Sequence, residues 1–495
     1  MKSQSAKALL KSLMKEHGVS TADLALLLAA DGSTETKASI DSKISRGRFS
    51  ADFFLCCIGV VQVQDINVKL SILPSDSEAV AVPELDNGDT VMFRDGRTGV
   101  NYIRTDENEE EAAPLEVVSL FSGAGGFDIG LEQAGFKTLA CVDFDKDCRE
   151  TLEFNRPDWV VVDGNSYRRQ AKLPERILGD IRAIEPLEVL GAVKRKPGDI
   201  DLVVGGAPCQ PFSNMGKKHG QNDEQNGDLF LHFVRFVKEI QPKSFIFENV
   251  VGITQGRHRE VISYMKEQFS GMDYGISHAV LNAANYGVPQ RRERFFLVGI
   301  KNSDVPAFPL PTHFKSAASW KAFVGGLDQV PTFSPRTWVT VGETLKKISP
   351  KRRESDDYVC MSISDKVIER MLYIKAGENF KVVPPELLPQ CWKSGKHLGS
   401  DTFGRLDPEQ PSVTIRTAAY NPSKGRYIHP FENRGLDTIE MAALQDFPPE
   451  WKFRCKGRSR VTLVSAGKQI GNAVPPGLAK ALGKAVRAQL TVTLS

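Results

Sequence analysis

The sequence predicts an α/β protein: a doubly wound, mostly parallel sheet with a smaller irregular lobe and an N-terminal all-α head. Three observations predict it. From Leu115 onward, short apolar runs alternate with helical segments, the pattern of a parallel sheet covered on both faces. Residues 301–403 break that rhythm with Pro, Lys, Ser and aromatic residues at irregular spacing. Residues 6–61 instead repeat their apolar positions at helical spacing. At 495 residues the chain has room for about two or three domains and a large core that needs no disulfide.

Taken in order, the head places Leu9, Leu10, Leu13 and Met14, then Leu24, Leu27 and Leu28, then Ile40 and Ile44, on successive helical faces, punctuated by Gly18 and Asp31-Gly32. Ser20 and Asp23 form a capping signature for the second helix. The segment from Thr36 to Phe49, with Lys37, Lys43, Arg46 and Arg48, resembles the recognition end of a helix-turn-helix, which makes residues 1–70 a DNA-binding or regulatory head. Residues 71–114, with three basic against eleven acidic side chains, read as an acidic linker with a short hairpin around Val91 to Ile103. The remainder carries 52 basic against 43 acidic residues, so the near-neutral total of +3 hides a basic body suited to a polyanionic partner.

Seven strands follow: Val117 to Phe121, Thr138 to Asp143, Trp159 to Val162, Asp201 to Gly205, Ser244 to Phe247, His278 to Asn282 and Phe295 to Ile300. Residues 115–300 and 404–495 make the sheet domain and 301–403 the lobe. Ala466 to Gln489 reads as a closing helix preceded by a Gly-Asn turn. No apolar run approaches a membrane span, and no secretory leader is evident, so the chain is expected in the cytoplasm. The eight cysteines include no C-x-x-C pair and read as free thiols, with no metal site.

Ligands of such sheets sit beyond the carboxyl ends of the strands. The first strand runs into Phe121-Ser122-Gly123-Ala124-Gly125-Gly126, a glycine-rich turn opening a helix, where the backbone can approach an anionic group closely. Asp143 ends the next strand and can accept from ribose hydroxyls. Without pyrophosphate-type spacing, the pair favours S-adenosylmethionine over a dinucleotide. Cys209, between Pro208 and Pro211 just past the strand Asp201 to Gly205, stands where a nucleophile would. Glu248 reaches the same edge after an apolar run, where desolvation raises a carboxyl's pKa and suits it to proton donation. In Gln290-Arg291-Arg292-Glu293-Arg294, alternation puts Arg292 and Arg294 on one face, able to bind a base carbonyl and a phosphate.

These segments, FSGAGGFD, PCQPFS, ENV, QRRER and the late GNAVPP, occur in an order that resembles the DNA (cytosine-5) methyltransferase family of restriction-modification systems. The resemblance covers roughly residues 115–300 and 404–490. It implies the Rossmann-like fold of S-adenosylmethionine-dependent methyltransferases and transfer of a methyl group to C5 of a flipped-out cytosine in a specific duplex sequence. Cys209 would attack C6, Glu248 would contact N3 and the exocyclic amine, and Arg294, with Arg292 beside it, would contact O2. Phe121, Ser122, Gly123, Gly125, Gly126, Asp143, Asp180, Pro208, Leu229 and Asn472 would hold the cofactor. The lobe would read the sequence, with Lys315, Lys321, Arg336, Lys346, Lys347, Lys351, Arg352, Arg353, Lys393 and Lys396 available to DNA. Asp437 to Glu440 departs from the family, which more often has an Arg-Glu pair there, and this weakens the expectation of a local ion pair.

The resemblance also implies a bacterial modification enzyme near the nucleoid, while the helical head at residues 1–70 separately suggests promoter binding, control of transcription and the place for a dimer in an otherwise monomeric enzyme. A transfer RNA cytosine-5 methyltransferase is the alternative within the family. An enzyme acting on free nucleotides is less compatible with the basic lobe.

Overall fold

The computed structural model describes residues 91–105, 113–162, 179–207, 229–254, 259–303, 305–393, 399 and 401–492, together with Met14, Ser20, Thr21, Leu24 and Ile40. The chain divides into two compact units, Met1–Leu85 and Asp86–Ser495. In the first, Met14, Leu24 and Ile40 are buried, three of the positions that helical periodicity selects. The Leu24 N–H donates to the Ser20 carbonyl at 2.9 Å, so a helical turn begins at Ser20. The rest of the basic segment from Thr36 to Phe49, the acidic run from Asp106 and the Pro208–Ser213 loop lie outside the described residues.

In the second unit, β1 (Met92–Arg94) and β2 (Asn101–Ile103) form the expected hairpin, and β2 continues into a parallel pairing with β10 (Phe308–Pro309). The main sheet contains β3 (Leu115–Leu120), β4 (Phe136–Val142), β5 (Val160–Val162), β6 (Leu202–Gly205), β7 (Ser244–Val250), β8 (Tyr274–Asn282) and β9 (Glu293–Lys301). Its spatial order is β5-β4-β3-β6-β7-β9-β8. The first five are mutually parallel, and β9 runs antiparallel to both of its neighbours. All seven strands stand where the apolar runs put them. Because β9 is reversed, its first residues meet the carboxyl end of β7, with Arg294 opposite Val250.

Helices cover both faces, as double winding requires. The helices are α1 (Gly126–Glu132), α2 (Lys146–Asn155), α3 (Pro186–Ala192), α4 (Leu229–Ile240) and α5 (Arg259–Glu267). Helix α4 buries Phe230, Phe233, Val234, Val237 and Ile240, an i, i+3, i+4 stripe that seats it on β6 and β7. Phe233 lies 5.1 Å from the Phe247 ring in a tilted contact. Each such ring contributes about 1.5–3 kcal/mol by leaving water. On the opposite face Phe127 and Leu131 of α1 pack with Leu478, Leu482 and Val486 of the closing helix.

The lobe carries β11 (His313–Phe314), β12 (Arg336–Thr337), α6 (Ala317–Val324), α7 (Val341–Lys346) and α8 (Asp365–Leu372). Beyond it come α9 (Thr438–Leu444), α10 (Leu463–Asn472) and α11 (Pro476–Val492). The stretch expected as a closing helix, Ala466 to Gln489, is therefore two helices, the first of which ends at the Gly471-Asn472 pair. Thr462 caps α10, and Pro475-Pro476 removes two consecutive N–H donors, which ends one helix and starts the next. A third core joins α2, α9, α10 and Val341 of the lobe, with Leu152, Met441, Leu444 and Ile470 fully buried.

Candidate active site

The turn after β3 is shaped by backbone. Phe121, Gly123 and Gly125 take positive φ of 54°, 56° and 82°. A phenylalanine in the left-handed region is strained, and such strain gathers at functional sites. Gly125 caps α1 from that conformation. A Cβ on Gly126 would stand 2.5 Å from the Val474 carbonyl oxygen and 2.9 Å from the Ala473 Cβ, so the α10–α11 junction lies directly on the turn. At Gly123 the same position meets nothing within 4 Å.

Asp143 fastens the turn to β4. One carboxylate oxygen accepts from the Gly123 N–H at 2.7 Å and the other from the Asp145 N–H at 2.7 Å. Burial pushes its carboxyl up to about 6. Each oxygen retains a second lone pair for a ligand hydroxyl. A Cβ on Gly179 would collide with the Asp143 carbonyl, which places Asp180 alongside. Asp180 accepts from the Arg182 backbone at 3.0 Å and pairs with its guanidinium at 2.6 Å. Burial, which acts to raise its pKa, is outweighed by these Arg182 bonds, and the carboxyl lies below the ordinary range. Ser122 donates to the Ser119 carbonyl at 3.1 Å. Leu229 opens α4 on the same apolar core as Phe121, and Asn472 ends α10 exposed. Phe144, the residue after Asp143, is 57% exposed.

At β7 and β9 the site is built from charge. The Arg294 Nε lies 3.0 Å from a Glu248 carboxylate oxygen, both side chains being 14% exposed. Burial lifts the Glu248 carboxyl above the ordinary glutamate range against the pull of Arg294 and Arg292. A Cβ on Gly206 would be 2.7 Å from the other Glu248 oxygen, so the carboxylate lies across the end of β6. Asn249 donates to the Ala207 carbonyl at 3.2 Å and ties β7 to the same strand exit. Pro208 and Cys209 follow immediately but fall outside the described residues.

The two arginines expected on one face have different surroundings. Arg292 is fully buried and donates to the carbonyls of Gly471 at 2.9 Å and Ile415 at 3.2 Å. Burial lowers its pKa to about 9. Its guanidinium donates to main-chain carbonyls while still feeling the charges of Arg294 and Glu248. In the lobe the structure does correct one expectation. Arg352, expected to be available to DNA, is held by Asp437 at 3.1 Å and Glu440 at 2.6 Å. Both carboxylates are buried, so each would lose one of its charged partners if Arg352 turned outward. Glu440 also takes two 2.7 Å bonds from Arg434. The weakened ion-pair expectation is thus reversed, with the arginines coming from positions 352 and 434. Lys315, Lys321, Arg336, Lys346, Lys347, Lys351, Arg353 and Lys393 are exposed, although Arg353 contacts Glu432 at 2.8 Å. Lys396 lies outside the described residues. Among the described residues no cluster of metal-ligating side chains occurs, and no helix is long and apolar enough to cross a membrane.

Compared with known proteins, residues 115–488 match the family described as C-5 cytosine-specific DNA methylase. The chain belongs to that family. This DNA cytosine-5 methyltransferase is 32% identical over 384 residues to the Type II methyltransferase M.PspPI of Psychrobacter sp. (strain TA137), covering 76% of this chain and 80% of that one. It is also 32% identical over 380 residues to M.XorII of Xanthomonas oryzae pv. oryzae, covering 74% and 83%. A solved structure of a putative DNA modification methyltransferase encoded within an E. coli prophage matches with TM-score 0.52 and 24% identity, covering 76% of this chain and 99% of that one. The last shares the fold. The methyltransferase is thus of the Type II restriction-modification kind, and its family and fold imply S-adenosylmethionine and duplex DNA. Residues 3–66 match a family described only as a domain of unknown function, DUF6471.

Proposed function

We propose that the protein methylates C5 of a cytosine flipped out of a specific duplex sequence, through a covalent bond from Cys209 to C6. The observation that carries this reading is the buried Glu248–Arg294 pair, 3.0 Å apart, lying across the end of the strand that leads to Cys209. A carboxyl whose pKa is raised by burial holds a proton where N3 of a cytosine needs one. Arg294 orients that carboxyl and offers its remaining N–H groups to the base O2.

The Cys209 thiolate adds to C6, and the electron pair of the C5–C6 bond moves to C5. Glu248 protonates N3 as this happens, spreading the charge through the ring. S-adenosylmethionine, when bound, supplies a methyl group on a positively charged sulfur. Its nucleoside fits the residues of the first edge: the turn at Phe121 to Gly126, the carboxylates of Asp143 and Asp180, and the exposed Phe144 face. After methylation, loss of the C5 proton to a base, departure of the Cys209 thiolate and return of the N3 proton to Glu248 restore the neutral aromatic ring and the starting enzyme. Access to C6 requires the base outside the duplex, at a cost of a few kcal/mol.

The exposed lysines and arginines of the lobe hold phosphates, and residues 1–70 bind promoter DNA and regulate transcription. Cys209→Ser should abolish methyl transfer and keep cofactor binding; retained turnover would overturn the nucleophile. Bisulfite sequencing of DNA from cells expressing the protein should show one methylated motif. Labelling of transfer RNA in place of duplex DNA would sink the substrate. Failure of the full chain to shift any fragment upstream of its gene would remove the regulatory role.

A further inference from the structure

Methyl transfer demands that two independently built edges hold their reactants to within a fraction of an ångström. The turn after β3 and the Glu248–Arg294 pair lie on different strands, with β6 between them. One short segment, Gly471 to Val474 at the α10–α11 junction, is fastened to both. Toward the turn, the Val474 carbonyl and the Ala473 side chain occupy the space that a Gly126 side chain would need. Toward the base, Arg292, two residues from Arg294, donates to the Gly471 carbonyl at 2.9 Å.

A second attachment is a relay of buried amides. The Ile415 N–H donates to Gln290 Oε1 at 2.8 Å, Gln290 Nε2 donates to Gln445 Oε1 at 2.6 Å, and Gln445 Nε2 donates to the Ala473 carbonyl at 2.6 Å. Gln290 Nε2 also reaches the Leu444 carbonyl at 3.1 Å. Both glutamines are fully buried. The relay has a fixed direction, since a backbone donor sets the Gln290 oxygen and a backbone acceptor sets the Gln445 nitrogen. Neither amide can flip without leaving buried groups unpaired. Four chain segments distant in sequence, at 290, 415, 445 and 473, are thereby locked in one register.

We propose that Gln290 and Gln445 are positioning residues for methyl transfer: through the Ala473 carbonyl they set the spacing between the base edge and the cofactor turn. The inference rests on the base and cofactor reading above. Neither amide touches a reactant, so the signature is a loss in the transfer step rather than in binding. Gln445→Met removes the donor without adding charge. Gln445→Glu leaves an oxygen facing the Ala473 carbonyl, and only its protonated form restores the missing N–H with an O–H.

The test is single-turnover methyl transfer at saturating duplex and S-adenosylmethionine, well below each variant's melting temperature. Both variants should bind cofactor and DNA within about threefold of the parent and transfer methyl groups about ten- to a hundredfold more slowly. The ratio of the Gln445→Glu rate to the parent rate should climb as pH falls and the introduced carboxyl protonates. A folded Gln445→Met enzyme transferring at the parent rate overturns the proposal. So does a pH-independent ratio for Gln445→Glu. If Cys209→Ser is inactive in the same assay while the Gln445 variants are unimpaired, only the positioning role fails. If Cys209→Ser remains active, the base reading itself fails.

Discussion

At the turn after β3 the backbone does the shaping, whereas at the β7–β9 edge charged side chains do. The first edge relies on three left-handed residues, a glycine pressed against a carbonyl, and a carboxylate bound to main-chain N–H groups. The second relies on a carboxylate and a guanidinium that shift each other's proton affinity inside a shielded cleft. An edge made of backbone geometry is sensitive to added volume. An edge made of charge is sensitive to isosteric changes that leave volume untouched.

Glu248→Gln should give the largest effect, a fall in kcat of about 10²–10⁴-fold with the affinity for S-adenosylmethionine unchanged in calorimetry. A wild-type kcat would break the contrast by showing that charge at this edge is dispensable. Next comes Arg352→Met, which leaves Asp437 and Glu440 short of a buried partner. It should cost about 3 kcal/mol in denaturant unfolding while leaving the salt dependence of DNA binding as it is. A flatter salt dependence would return Arg352 to the DNA-contacting set. Gly126→Ala adds a methyl group where 2.5 Å is available. It should cost about 1–3 kcal/mol and weaken cofactor binding, with no change in DNA affinity. Cofactor binding at parental strength in that variant would show that the junction yields.

The smallest expected effect is a change of slope. Asp128, completely buried in the first turn of α1, has its carboxyl pushed up to about 7 by burial. The native state keeps this proton where an unfolded carboxyl, near 3.9, has released it. The contribution is therefore whole below about pH 4 and is lost as pH rises toward 7. Asp128→Asn should flatten melting temperature against pH across that interval; an unchanged slope would locate the effect elsewhere.

The unequal construction also explains what could be read in advance. Strands β3 to β9 and the glycine turn are written in contiguous residues, because an apolar run or a cluster of glycines acts on its own neighbourhood. Glu248 and Arg294 stand at strand ends, where the alternation of elements already points. Arg352 could not be assigned, since its partners are 85 and 88 residues away in sequence. Strand alternation gives Arg292 its face but not the carbonyls of Ile415 and Gly471 that its guanidinium meets, 123 and 179 residues away. The double proline at 475–476 was visible, yet apolar periodicity on either side masked the break between α10 and α11.

The reversal of β9 carries a consequence for how the protein can be re-engineered. Its first residues lie at the active edge and its last at the opposite one, where the Lys301 N–H is tied to the Lys243 carbonyl at 2.9 Å. Ser412 fastens a later part of the chain to the active edge, exchanging bonds of 2.9 and 2.8 Å with Pro289 and Arg291. Between these two posts Phe308 enters the core of the sheet and Val341 and Leu406 enter the third core, so an exchange of the lobe has to keep those positions. The clasp from Arg352 to Asp437 and Glu440 is the fastening that such an exchange must carry along, so lobes transplanted with an arginine at that place should be the ones that fold.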